Sequence, residues 1–294
     1  MKASRTSLAA PLALLVLALG CTGQTGKITV LMKDAPANLT AAVVTISEID
    51  LVGSNGITVL STTKTTTDLL TLANDTATLV KDVEVPVGTY SQLRFVITGG
   101  YVEADGVIYA SSPDYEGLPS ETTAGGTLRM PSYAQSGLKV DLPAGAATVG
   151  TATTVLLVDF DVSQSFGHEA GNSGAWVMHP VVKATDFELA GTVNVTMKLG
   201  QGVTLPLPTT LADFKAVLTP APPASGGNTI LPLTSTDAIT YGASFKYLFP
   251  GDYTLTFNGP SAVNAFGTTP TVPTTVTVAS GQATAASFVM TSAH

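Results

Sequence analysis

Apolar and polar residues alternate with a period of two along most of this chain. "KITVLMKDAP" (Lys27–Pro36), "AVVTISEIDLVG" (Ala42–Gly53) and "GITVLS" (Gly56–Ser61) all follow the pattern, and the last two are joined by the turn "GSNG". Successive side chains of a strand point to opposite faces, so this period predicts half-buried β-strands. "TTVLLVDFDVSQSF" (Thr153–Phe166) departs from it, being apolar on both faces from Val155 to Val158, as expected of a strand buried on both sides. "AWVMHPVVKATDFEL" ends this series, and "AGTVNVTMKLG" opens a fresh one near Leu189. "TTTDLLTLAND" (Thr65–Asp75) fits either a short helical turn or a crossing segment. No heptad and no 20–50-residue array interrupts the strands. The pattern predicts an all-β fold of two consecutive β-sandwich domains, at 27–188 and 189–294.

Two stretches repeat one turn chemistry. "VPVGTYSQLRFVI" (Val85–Ile97) and "LFPGDYTLTFN" (Leu248–Asn258) each place Pro, Gly and Tyr ahead of an alternating strand. Pro86 and Pro250 cannot donate to a ladder, and Gly88 and Gly251 tolerate positive φ. Tyr90 and Tyr253 are therefore expected to form tyrosine corners, with each hydroxyl bonding back to the backbone. Tyr253 shares a face with Leu255 and Phe257, whereas Tyr90 is out of phase with Leu93, Phe95 and Ile97. Val87 is the extra residue, and a bulge is expected in the first copy.

The N-terminus changes the picture. Lys2 and Arg5 precede an apolar run from Leu8 to Gly20, followed by Cys21, the chain's 1 cysteine. The run is shorter than the roughly 20 residues of a membrane span, and it reads as a signal peptide over residues 1–20. "LALGC" resembles a bacterial lipobox, with Ala18 where leucine is usual. Cys21 is thus the expected lipidation site (acyl groups such as palmitate), and residues 21–26 the lipidated N-terminus and short linker. Two or more acyl chains hold a protein stably at a bilayer. The expected partner is a membrane, reached through that lipid, and the expected location is the cell envelope. Thr22 in place of an aspartate leans towards the outer membrane over the inner.

Charge excludes another class of partner. Without Lys2 and Arg5, 11 basic residues face 21 acidic ones, which disfavours nucleic acid and anionic lipid surfaces. Other envelope proteins or glycans remain as partners. Charged residues make up 12% of the chain and apolar ones 45%, so it is not disordered in composition.

Candidate chemistry is sparse. Asp159 and Asp161 lie two apart on one strand, at a spacing near that of inverting glycosidases. With His168 and His179 they form a candidate calcium or zinc ligand set, and hence the alternative function of a hydrolase or metal-dependent enzyme. Otherwise no cofactor is expected. S-x-x-K occurs at Ser61–Lys64 and Ser136–Lys139 without its accompanying S-D-N and K-T-G boxes. The long Gly/Ser/Tyr-rich excursion from Gly99 to Gly137 is a candidate ligand-binding loop bearing Tyr101, Tyr109, Tyr115 and Tyr133. Within it "YVEADGVIYA" predicts a hairpin turning at Asp105-Gly106.

"KDAP", "DLLTL", "VPVGTYSQLRF", "PSYAQSGLKV", "VDFDVSQSF" and "HPVVKA" occur in the order found in a bacterial lipoprotein family, domain of unknown function 4382, which the chain resembles from Lys27 to Thr185. The resemblance implies a β-sandwich and an envelope location, and no established activity. "FPGDYTLTF" with "TTVTVASGQATAASFVM" resembles a prealbumin-like or carboxypeptidase-regulatory-like sandwich. Together these readings point to a membrane-anchored envelope lipoprotein acting as a non-enzymatic binding, adhesion or spacer module.

Overall fold

A computed structural model describes residues 23–35, 39–54, 56–130, 135–142, 148–166, 173–222, 227–237 and 239–294. The leader, Cys21, Tyr133 and His168 lie outside the described residues. The fold is nearly all-β, and its strands form two face-to-face pairs of sheets. In the first pair, a 4-stranded sheet runs in spatial order Val182–Asp186, Thr153–Asp161, Thr25–Ala35, Ala77–Pro86. Thr25–Ala35 and Thr153–Asp161 are parallel, in unbroken register from Lys27↔Thr153 to Ala35↔Asp161. Facing it is a 9-stranded sheet whose spine is the antiparallel pair Ala41–Gly53 and Gly88–Ala104.

Alternation places Ile28, Val30 and Met32 inward from one sheet, and Val44, Leu93, Phe95 and Ile97 inward from the other. Leu156, Val158 and Phe160 fill the same core. Each such side chain is worth about 1.5–3 kcal/mol when removed from water. The second pair, drawn from residues 191–293, has a separate core of Val193, Val195, Met197, Phe214, Phe245, Leu255, Phe288 and Met290, among others. There Phe257 meets Phe288 edge-on at 5.1 Å, a favoured ring geometry.

Both expected tyrosine corners are present. Tyr90 Oη donates to the Pro86 carbonyl at 2.6 Å, and Tyr253 Oη donates to the Phe249 carbonyl at 2.9 Å. The parity problem in the first copy is solved four residues later than expected. Val52 pairs with Gln92 and Gly53 with Tyr90, so Ser91 is the looped-out residue, and not Val87. The bulge turns Tyr90 to the core side, where it is 7% exposed. Positive φ occurs at Gly251 (148°) but not at Gly88, so the first corner is made without a left-handed glycine.

"TTTDLLTLAND" contains both alternatives: a strand, Thr65–Asp68, and a 3-10 turn, Leu69–Leu72, whose Leu70 N–H is capped by Asp68 at 3.2 Å. The hairpin turns at Asp105 (φ 51°) and Gly106 (φ 76°), the positive pair a type I′ turn requires. Among the described residues no helix is long and apolar enough to cross a membrane.

The sandwiches are joined edge to side. Strand Thr240–Leu248 pairs with Gly191–Leu199 on one side, while Thr234–Ser235 reaches only Gly242 and Tyr241 on the other. Asn74 of the first sandwich takes over from there. Its Nδ2 donates to the Ser244 carbonyl at 3.0 Å, and its Oδ1 accepts from the Lys246 N–H at 2.6 Å. The side-chain amide thus supplies the donor and acceptor that a neighbouring strand would offer. Asn74 sits at φ 62°, a conformation Asn tolerates better than most residues.

Two substitutions test this arrangement. Tyr90→Phe deletes one hydroxyl bond and is expected to cost about 1 kcal/mol in urea unfolding. Asn74→Ala removes both bonds across the joint and is expected to split one calorimetric unfolding peak into two. A single peak at the wild-type temperature would show that the amide contributes nothing.

Candidate functional site: the cleft between the sandwiches

Strand Thr153–Asp161 places Leu156, Val158 and Phe160 in the first core. Leu157 and Asp159 therefore point the opposite way. Leu157 is 0% exposed but belongs to neither sandwich core, so the outer face of the sheet is buried there, next to where Lys33, Asp159 and Lys183 meet residues of the second sandwich. This explains the apolar run on both faces of the strand. It leaves Asp159 at the boundary, in register with Lys33 on one neighbouring strand and Lys183 on the other.

Around Asp159 lies a cleft of about 180 Å³, walled by Lys33 and Lys183 from the first sandwich and by Leu248, Phe249, Asp252 and Tyr253 from the second. Lys33 Nζ is 2.9 Å from Asp159 Oδ2, with side chains 12% and 18% exposed. The same ammonium lies 5.7 Å from the centre of the Phe249 ring, within cation–π range. Tyr253, held by its corner bond to Phe249, completes the wall. Burial, and after it the negative charge of Asp159, pushes the Tyr253 phenol far above its ordinary value. The phenol stays neutral, and the lysine is matched by a carboxylate. The arrangement holds two bodies together; it presents no nucleophile paired with a base.

The described members of the candidate metal set, Asp159, Asp161 and His179, are each engaged separately. Asp159 is committed to Lys33, whereas Asp161, 4% exposed, caps the short helix Val162–Ser165. Its carboxylate accepts from the Gln164 N–H at 3.1 Å, Ser163 Oγ at 2.7 Å and Gln164 Nε2 at 2.6 Å. Asp34 receives the Val162 N–H at 3.1 Å, so two carboxylates satisfy the exposed donors of one helix end. The side chain of His179 is exposed, and its backbone N–H is bound to the Ser165 carbonyl at 2.8 Å. Among the described residues no three His, Cys, Asp or Glu side chains are grouped as metal ligands. The cleft is lined by two ammonium groups, Lys33 and Lys183, and two carboxylates, Asp159 and Asp252, and the Asp159 carboxylate is already paired with Lys33.

The described tyrosines of the long excursion, Tyr101, Tyr109 and Tyr115, turn inward. Tyr101, 7% exposed, packs with Ala41, Val43 and Ala110 in a small cluster on the outer face of the large sheet. Tyr115 tilts against Tyr101 at 6.3 Å and shares a 2.5 Å hydrogen bond with the Thr45 hydroxyl. A Cβ on Gly99 would come within 2.6 Å of the Tyr115 ring, so glycine is needed there for close approach. Tyr109 lies 5.6 Å from Trp176. Lys64 pairs with Glu116 and pins the loop from outside. The loop is packed onto the sheet, and these three aromatic rings hold it down.

Sequence reading did not single out Asn74, Lys33, Phe249 or Lys183. Asn74 begins an N-x-T sequon and reads as a turn residue. The legible signal for a second interface was Leu157 standing beside Leu156.

A pH test follows from Tyr253. Its phenol is raised in the folded state, so its contribution is intact below the ordinary value near 10. That contribution is lost as pH climbs from there through the folded value. Tyr90, Tyr101 and Tyr115 are also raised, chiefly by burial, so they share the alkaline loss. Tyr253→Phe is therefore expected to flatten, without abolishing, the fall in unfolding free energy above about pH 10. An unchanged slope would refute it.

No curated protein matches the chain. Among solved structures, a minor pilin of Streptococcus agalactiae is similar at 12% identity, over 90% of this chain and 95% of that one, with a TM-score of 0.25. A fimbrial anchor protein of Porphyromonas gingivalis is similar at 12% identity, over 78% of each chain, with a TM-score of 0.19. A leucine-rich repeat protein of Bacteroides thetaiotaomicron shares 12% identity at a TM-score of 0.23, and this chain spans 26% of its length. Residues 25–180 match the family described as Domain of unknown function (DUF4382), more than half of the 294 residues, and the chain belongs to that family.

Proposed function

We propose that this protein is a lipid-anchored module of the bacterial cell envelope that binds or spaces other envelope components and performs no covalent chemistry. The observation that carries the reading is the use made of its acids. Asp159 and Asp161, the acids that sequence position offers to catalysis, are engaged in an ion pair and a helix cap, and Asp34 beside them accepts a backbone N–H. Asn74 and the Lys33–Phe249 contact support a spacer role, because they couple two sandwiches into one body. The anchor rests on Cys21 and the apolar run before it. The acidic balance argues for protein or glycan partners and against nucleic acid.

The test is Cys21→Ser. The wild-type chain is expected to incorporate labelled palmitate and to fractionate with membranes, in the outer membrane where two membranes exist. The variant is expected to take up no label and to appear in the soluble fraction. A variant that still fractionates with membranes removes the anchor from the proposal.

A further inference from the structure

In strand Gly191–Leu199, Val193, Val195 and Met197 point into the second core, and alternation puts Leu199 next in the same row. Leu199 is nevertheless 38% exposed. Ile239, just before the paired strand Thr240–Leu248, is 70% exposed. A cavity of about 490 Å³ opens beside them, with Val203, Leu205, Leu211 and Tyr241 also in its wall. Leu211 belongs to the core and the other three pack against it, so the cavity is an unfilled extension of that core. Leu207, between the lining residues Leu205 and Thr209, is 95% exposed and extends the apolar surface. Gly191 pairs with Leu248, which lines the cleft at the joint, and Leu199 lies roughly 26 Å further along the strand. The opening is therefore at the end of the second sandwich away from the first.

Its walls are fastened. Asp237 accepts from the Ile239 N–H at 2.8 Å and the Thr240 N–H at 2.7 Å. Asp213 and Thr210 form a capping box that fixes the 3-10 turn carrying Leu211. Both carboxylates are thereby turned to backbone, and neither lines the cavity. Lys198 is the one charged residue of the lining, and among the described residues it forms no ion pair. In a chain with 21 acidic residues against 13 basic ones, a cavity with an ammonium and no carboxylate favours an anion.

We propose that this opening binds a single aliphatic chain ending in a carboxylate, with the chain against Leu199, Leu205 and Ile239 and the head at Lys198. The size falls within the range of small-molecule sites, about 300–1,000 Å³. Lining chemistry selects the occupant. Leu, Val and Ile side chains suit flexible hydrocarbon, and Tyr241 is the one aromatic ring on which a sugar or base would stack. The Thr210 hydroxyl is already taken up by its cap. The inference deepens the binding half of the proposed function and is independent of the anchor. Palmitate labelling at Cys21 and carboxylate binding at the opening can fail separately.

The experiment uses the full chain carrying Cys21→Ser, so that no acyl group of its own competes. Titration calorimetry with octanoate, nonanoate and decanoate, each below its micelle concentration, is expected to show one saturable site. Its Kd is expected to fall about fourfold for each added methylene, the factor for burying one such group. Decanol is expected to bind about threefold more weakly than decanoate, as loss of an exposed ion pair implies. Lys198→Gln is expected to remove that difference and keep the dependence on chain length. Ile239→Asp, at an exposed position, is expected to weaken decanoate about tenfold or more, since it removes apolar surface and repels the head. The circular dichroism spectrum and unfolding midpoint should stay in place. No saturable binding, one affinity for all chain lengths, or binding undiminished by Ile239→Asp overturns the proposal. So does decyltrimethylammonium that binds as tightly as decanoate, which would mark adsorption to an acidic surface. Binding to phosphatidylglycerol vesicles or to another protein, abolished by Ile239→Asp in a chain indifferent to free carboxylates, would assign the opening to that occupant and equally sink it.

Discussion

A β-sheet has two faces, and each must either meet water or be covered by something apolar. In the first sandwich the outer face of the parallel pair Thr25–Ala35 and Thr153–Asp161 carries both kinds of residue, Leu157 together with Lys33 and Asp159. Leu157 is removed from water entirely. Residues of the second sandwich stand against Lys33 and Asp159 and draw them into an environment where each needs the other. Their pairing at 2.9 Å, with Phe249 beyond the ammonium, is the condition for closing that face. An unpaired charge at the same place would carry a desolvation cost that the apolar contact could not offset. The position of the second sandwich, the neutral Tyr253 and the shape of the cleft all depend on it.

Polar groups in the rest of the molecule follow the same logic of local satisfaction. Asp34 and Asp161 answer the backbone donors of one helical turn, and Asn74 answers two backbone groups on a strand of the other sandwich. The tyrosine corners anchor the entry to two long strands with single hydroxyl bonds. Asp159 differs in answering a side chain, the Lys33 ammonium. For a domain without a disulfide among its described residues, such fastening supplements two cores of ordinary aliphatic and aromatic residues.

Much of this was visible in the amino-acid order. The period-two alternation in "AVVTISEIDLVG" and around Phe95 gave the strands and their inward rows, because side-chain direction in a strand follows from position alone. Pro86 and Pro250, followed by tyrosines, marked the corners, since the constraints of proline act within a few residues. The Asp105-Gly106 turn was legible for the same reason. The partners of Asp159 and Asp161 were hidden. Spacing along one strand places two carboxylates on a face, but it says nothing of which neighbour, parallel strand or helix end each will serve.

Local chemistry, then, determined the elements of this protein: strand period, corner, hairpin and the apolar N-terminal run are properties of short windows. Tertiary structure decided the rest. Lys33 and Asp159 are 126 positions apart and meet through the pairing of two parallel strands in one sheet, whereas Asn74 and Ser244 are 170 apart and meet where one sandwich adjoins the other. It likewise turned Tyr101, Tyr109 and Tyr115 inward and left Ile57 and Val59 outside, because which face of a strand is covered depends on what packs over it, and no local pattern encodes that.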